Sequence, residues 1–153
     1  MAIELKRTDS DDKDFRALVS QLDAELAKRD GPDHAFYHQF NKIDQIRHAV
    51  VAYWHEEPAA CGAIKAYAPG RGEMKRMFVK PQYRKLGLAT QVLKELEAWA
   101  AELGYTALVL ETGKAQPEAI ALYQKWGYTP IPNYGQYAGV ENSICMQKQL
   151  VRA

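Results

Sequence analysis

The sequence predicts an α/β fold: a mixed, mostly antiparallel central sheet of six to seven strands flanked by about four helices. Three observations lead there. Strand-like segments follow one another with short turns between them through residues 47–79, a long amphipathic helical pattern then crosses to another strand-like segment, and a second helical pattern precedes the closing strands. A crossover helix makes its flanking strands parallel neighbours, whereas short turns make antiparallel ones. With 153 residues, the chain suits one domain spanning 1–153 with a core large enough to fold without staples.

The elements follow in order. Residues 3–6 alternate apolar and charged side chains and open the sheet. Thr8, Asp9 and Ser10 then offer N-caps to a helix whose Phe15, Leu18, Val19, Leu22 and Leu26 recur at helical spacing, leaving Asp12, Lys13 and Lys28 in water. Asp30-Gly31-Pro32-Asp33 breaks it, and residues 33–41, rich in aromatic and polar groups without either period, read as a loop with a short helical turn. Strands at 47–54 and 59–66, joined at Glu56-Glu57-Pro58, lead through Pro69-Gly70-Arg71-Gly72 to a third at 73–79. The next helix places Ala89, Val92, Leu93, Leu96, Trp99, Ala100 and Leu103 on one face and ends at Gly104. A buried-type strand at 106–110 follows, then a helix opened by Pro117 and closed by Gly127. Residues 128–131, a turn around Asn133-Tyr134-Gly135 and a strand at 142–149 complete the fold.

Composition narrows the function. Lys and Arg number 20 against 19 Asp and Glu, so there is no basic footprint for a polyanion, and nucleic acid is not an expected partner. Cys61 and Cys145 stand far apart without a Cys-x-x-Cys motif, and His34, His38, His48 and His55 show no ligand spacing, so neither a disulfide framework nor a metal is expected. Glu4, Lys6, Arg7 and Asp9 interrupt any secretory apolar core, and the apolar run at 49–54 is too short to span a bilayer. A soluble, cytoplasmic protein with no membrane partner is expected.

The segment Val79-Lys80-Pro81-Gln82-Tyr83-Arg84-Lys85-Leu86-Gly87-Leu88-Ala89 carries most of the chemistry, because it runs from a strand through a basic glycine-containing turn into a helix. The first N–H groups of a helix lack intrahelical partners and lie at the positive end of its dipole, so this turn suits a pyrophosphate. It lacks the Gly-Lys-Ser/Thr of a Walker motif and the third small residue of a dinucleotide motif. Arg84-x-x-Gly87-x-Ala89 instead resembles the Arg/Gln-x-x-Gly-x-Gly/Ala turn of the GNAT superfamily of acetyl-CoA-dependent N-acetyltransferases. The strand from Glu73 to Pro81, the strand end Leu110-Glu111-Thr112 and the block Gln116-x-x-Ala119-Ile120-x-Leu122-Tyr123-x-Lys125-x-Gly127-Tyr128 resemble the same family, so the likeness covers nearly the whole chain. Gln116 stands where the family usually has Asn, and Ala89 where it often has Gly.

The resemblance implies that acetyl-CoA is the co-substrate. Its pyrophosphate would lie on Arg84, Lys85, Leu86, Gly87, Leu88 and Ala89, its pantetheine arm along the edge of Met77, Phe78 and Val79, with Gln116 and Tyr123 nearby. In such folds the arm enters where the strand carrying Met77 splays from the one ending at Glu111. An acceptor amine attacks only when neutral, and a lysine-type amine with pKa about 10.4 is mostly protonated at neutral pH, so a base is needed. Glu73 occupies the position of the family's catalytic glutamate, and Glu111 is the alternative. Tyr123 matches the tyrosine that protonates the departing thiolate, although its helical face also allows a packing role. Cys145 is read as a strand cysteine rather than an acyl carrier, since the amine can attack the thioester directly.

The acceptor cleft in such folds is shaped by the regions that here hold Asp33 to Asn41 and Pro132 to Tyr137. Their Tyr, His, Asn and Gln content suits a small polar amine, an amino acid or similar, with Tyr37, Tyr134 and Tyr137 in contact. Lys75 and Arg76 alternate on the strand, so one of them faces the cleft, and Arg76 is assigned to an acceptor carboxylate. A protein N-terminus or lysine as acceptor, and a non-catalytic acyl-CoA-binding module, stay open as alternatives. Family members often pair through sheet edges, which implies a possible homodimer.

Overall fold

The computed structural model describes residues 2–30 and 46–150. In chain order the elements are β1 (Ile3–Thr8), α1 (Lys13–Asp30), β2 (His48–Trp54), β3 (Glu57–Ala68), β4 (Arg71–Val79), α2 (Leu88–Glu102), β5 (Ala107–Gly113), α3 (Pro117–Lys125), β6 (Thr129–Ile131) and β7 (Ser143–Gln149). The strands form one seven-stranded sheet in the order β1-β2-β3-β4-β5-β7-β6. Only β4 and β5 pair in parallel, as the crossover through α2 requires, and the remaining neighbours are antiparallel. Three α-helices flank it among the described residues, not about four; the loop with a helical turn expected at 33–41 lies outside them. No helix among them is long and apolar enough to cross a membrane.

Strand alternation sorts the core into two layers. Val50, Ala52, Ile64, Met74, Leu108, Leu110 and Met146 face α2 and α3, where Val92, Leu93, Leu96, Ala100 and Tyr123 cover them. Ala49, Val51, Cys61, Ala63 and Phe78 face α1, against Phe15, Leu18, Val19 and Leu22. Each fully buried leucine of α2, such as Leu93 or Leu96, contributes about 1.5–3 kcal/mol relative to leaving it in water.

Two local expectations are corrected. Asp12, not Thr8, Asp9 or Ser10, caps α1: its Oδ1 accepts the N–H groups of Asp14 at 2.8 Å and Phe15 at 3.1 Å. Nor does it stay in water, because its other oxygen pairs with Lys6 at 2.6 Å and the side chain is only 9% exposed. Burial alone would raise this carboxyl, but the Lys6 ammonium and the capped N–H groups outweigh it and lower its pKa. The β2–β3 joint lies at His55 and Glu56, whose φ angles of 47° and 70° make a two-residue hairpin turn, one position before the expected Glu56-Glu57-Pro58.

The feature that makes a site is the parting of β4 from β5. Their pairing is confined to Arg71, Gly72 and Glu73 against Ala107, Leu108 and Val109. Beyond Glu73 the β3–β4 register shifts, with Phe78 opposite Cys61 but Lys75 opposite Ala63, so β4 carries an extra residue there. Arg76 lies in this bulge at φ 64°. On the other side, β5 continues through Glu111 to Gly113 by pairing with β7, three residues past its expected end. The two strands therefore open like a wedge. Gly62 of β3 lets the bulged strand lie close, since a Cβ there would be 2.5 Å from Met77 Sδ and 2.8 Å from Leu96.

Candidate active site

The wedge holds a cavity of about 570 Å³, lined by β4 from Glu73 to Val79, the turn and first residues of α2, the end of β5, α3 and the α1 side chains Leu22, Glu25 and Leu26. One end offers main-chain groups. The β4 edge beyond Glu73 has no partner in β5, so its polar groups face the opening. Pro81–Tyr83 forms a short 3₁₀ turn, after which Lys85 and Gly87 take φ angles of 69° and 82° to swing the chain into α2. The first intrahelical bond runs from Gln91 N–H to the Gly87 carbonyl at 3.1 Å, leaving the N–H groups of Leu88, Ala89 and Thr90 ahead of it. Leu86 is exposed, whereas the Leu88 side chain is buried and brings only its backbone to the site. Among the described residues, an added Cβ on Gly87 would meet nothing within 4 Å, so they leave the cradle open.

Arg84 does not reach freely into that cradle. Its Nε donates to the Val79 carbonyl at 2.9 Å and its Nη2 to Glu25 of α1 at 2.8 Å, with the guanidinium over the Phe78 ring. Gln116 is the residue before α3 and lines the cavity across from the turn.

At the other end the walls are side chains. Glu73, 6% exposed, is the last residue of β4 that pairs with β5, and it accepts the Tyr134 hydroxyl at 2.7 Å. Burial first, and the Glu73 charge second, push that hydroxyl above its ordinary pKa. Tyr134 packs between Tyr67, tilted at 4.7 Å, and Tyr137, edge-on at 5.8 Å between ring centroids. Glu111 accepts the Ser143 hydroxyl at 2.7 Å from the opposite strand. Tyr123 of α3 lines the same cavity, and burial, then Glu111, raise its pKa, so it keeps its proton.

The structure thus brings Glu73, Glu111, Tyr123, Tyr137, Gln116, Met77, Phe78, Val79 and the turn from Arg84 to Ala89, Leu86 apart, to the lining of one cavity, with Tyr134 joined to it through Glu73. Tyr37 lies outside the described residues. Arg76 lines the cavity but commits its guanidinium to Asp23 of α1 at 2.8 Å, and its Nε is buried without a partner among the described residues. Lys75, two residues from Glu73 on the same side of the strand, faces the acceptor end instead, with Nζ 3.9 Å from Glu73 Oε1. Alternation alone leaves Lys75 and Arg76 equal, and the bulge at Arg76 decides between them; for Ser143, Tyr67 and Glu25 the sequence held no signal. Carboxylates do stand near Cys145, but they act with burial to raise its thiol pKa, which disfavours a nucleophilic thiolate.

The chain is similar to known proteins in sequence and in fold. The model of the acetyltransferase (GNAT) family matches residues 14–128. The IAA acetyltransferase of Azospirillum brasilense is 41% identical over 91 residues, 59% of this chain and 60% of that protein, so the match spans less than two thirds of that relative. The N-acetyltransferase YsnE of Bacillus subtilis is 31% identical over 114 residues, 71% of this chain and 76% of its own length. A Klebsiella pneumoniae structure described as an acyl-CoA N-acyltransferase superimposes with a TM-score of 0.82 at 30% identity, covering 97% of this chain and 98% of that one. A GNAT family acetyltransferase of Elizabethkingia anophelis with acetyl-CoA bound shares the fold, with a TM-score of 0.68 at 17% identity over 97% and 99% of the two chains. The chain belongs to the acetyltransferase (GNAT) family, a family of acyltransferases whose co-substrate is acetyl-CoA.

Proposed function

We propose that this chain moves an acetyl group from acetyl-CoA to the primary amine of a small polar molecule, an amino acid or similar, by direct attack with both substrates bound. One observation carries the reading: Glu73 and Glu111 meet Tyr123 and the β4 edge that β5 leaves unpaired in a single cavity, at the point where β4 and β5 part. The residues fit the co-substrate. The N–H groups of Leu88, Ala89 and Thr90 and the open Gly87 position suit its pyrophosphate, and the free β4 edge suits its amide-bearing arm. A β4 N–H is then placed to polarise the thioester carbonyl.

Glu73 takes the proton of the incoming ammonium, directly or through water, with the Tyr134 hydroxyl holding its second oxygen in position. Glu111, held by Ser143, is the second candidate for the same work. Tyr123 supplies a proton to the departing thiolate, a role its raised pKa suits because the hydroxyl stays protonated. The tyrosines around Glu73 and the two carboxylates suit a cationic, hydrogen-bonding acceptor more than an apolar one.

A thiol-release screen with acetyl-CoA against amino acids, other small amines and peptides tests the reading. Turnover with small polar amines is expected. Turnover confined to peptides would overturn the acceptor class, and tight acetyl-CoA binding with no thiol release from any amine would point to a binding module.

A further inference from the structure

The acceptor end of the cavity already contains an amine. Lys75 lies one pleat beyond Glu73, and it lines the same cavity as Met77, Val79, Glu111 and Tyr123. Its side chain is only 10% exposed, with Nζ 3.9 Å from Glu73 Oε1, so the cavity confines it. Burial lowers its pKa and the charges of Lys65 and Arg76 add to that, while Glu73 and Glu111 oppose. The balance favours the neutral, nucleophilic amine more than in a lysine in water. Lys94 and Lys125 offer the contrast: both lie outside this cavity, on the Trp126 ring at 4.2 and 5.5 Å.

Resting on the acetyltransferase reading, we infer that Lys75 is itself an acyl acceptor, a site of self-acetylation by acetyl-CoA bound in this cavity. The Nζ lone pair forms a bond to the thioester carbonyl carbon, and the carbon–sulfur bond breaks with its electron pair leaving on the CoA sulfur. The proton lost from nitrogen passes to Glu73 and onward to the thiolate. The products are acetyl-Lys75 and the CoA thiol, with no change of oxidation state. The resulting amide has no charge to offer Glu73 and occupies space beside it. Self-acetylation therefore restrains turnover when the acceptor amine is scarce.

The test incubates the whole chain with acetyl-CoA and no added amine, follows intact mass, and maps the modified peptide. The expected result is a gain of one acetyl group, located on Lys75 before Lys94 or Lys125 is labelled, and lost in a folded Lys75→Arg protein. Label appearing on Lys94 and Lys125 as fast as on Lys75 overturns the inference. If Lys75 stays unmodified in a preparation that releases thiol once an amine is added, self-acetylation falls and the transferase reading stands. If calorimetry shows acetyl-CoA bound but neither product forms, both fall.

Discussion

The two ends of the cavity are made of different material. The donor end offers main-chain groups: a strand edge that β5 leaves unpaired, a turn with positive φ at Lys85 and Gly87, and the first N–H groups of α2. The acceptor end is side chains drawn from distant parts of the sequence, Glu73 bonded to Tyr134 and Glu111 bonded to Ser143. Main chain presents the same groups whatever the sequence, so it suits a co-substrate common to a whole family. Side chains vary freely, so the acceptor is where one member differs from the next. Backbone-altering substitutions should therefore weaken acetyl-CoA binding, and isosteric side-chain changes should damage the transfer.

The largest effect is expected at Glu73. Glu73→Gln keeps the shape and the Tyr134 contact but removes the base, and should lower kcat/KM about 10²–10⁴-fold while calorimetry shows acetyl-CoA binding unchanged. If Glu111→Gln shows the greater loss, the base stands on β5. Next comes Tyr123→Phe, which should cost about 10²-fold in kcat if the hydroxyl protonates the thiolate. Because burial and Glu111 raise the Tyr123 pKa, its proton is retained as pH rises, while the free acceptor amine becomes more abundant. The rate should therefore climb with pH without an alkaline fall from Tyr123, and the Tyr123→Phe profile should match it in shape and lie lower. A falling limb present in the parent and absent in Tyr123→Phe would contradict this assignment.

The donor end answers with a smaller change. Gly87 holds φ 82°, and a branched residue in that left-handed region costs about 1–2 kcal/mol. Gly87→Val should thus weaken acetyl-CoA about tenfold, with kcat at saturating acetyl-CoA retained. Gly87→Asn, which tolerates that backbone better, should lose less. Wild-type affinity in Gly87→Val would mean that the turn does not hold the pyrophosphate.

The same contrast explains what could be read in the sequence. The donor turn is local: Pro81, Gly87 and the amphipathic run after it specify strand, turn and helix within a dozen or so neighbouring positions. The parallel pairing of β4 and β5 followed from the length of the crossover. The bulge at Arg76 did not, because an extra residue shows only when β4 is set against β3, and without it alternation leaves Lys75 and Arg76 as equal candidates for the cleft. Tyr134 reaching Glu73 across 61 positions is a tertiary event with no local pattern to announce it. Asp12 leaves the water for a similar reason, since the Lys6 that draws it in lies on β1.

The smallest effects separate two acidic residues of α1. Asp23 pairs with Arg76, whose side chain is 3% exposed, whereas Glu25 pairs with Arg84, whose side chain is 35% exposed. Removing a partner costs most where the remaining charge is buried, because water cannot replace it. Asp23 is itself 31% exposed, so water near that rim moderates the loss, and Asp23→Ala should cost about 1 kcal/mol of stability. Glu25→Gln should cost only a few tenths of a kcal/mol, roughly the worth of a solvated ion pair, and would remove the negative charge that competes with an incoming phosphate for Arg84. Thermal melts should therefore rank Asp23→Ala below Glu25→Gln, and calorimetry should find acetyl-CoA binding at least as tightly to Glu25→Gln as to the parent. Weaker binding there would show that Glu25 orients Arg84 for the pyrophosphate, making the donor end depend on a side-chain pair after all.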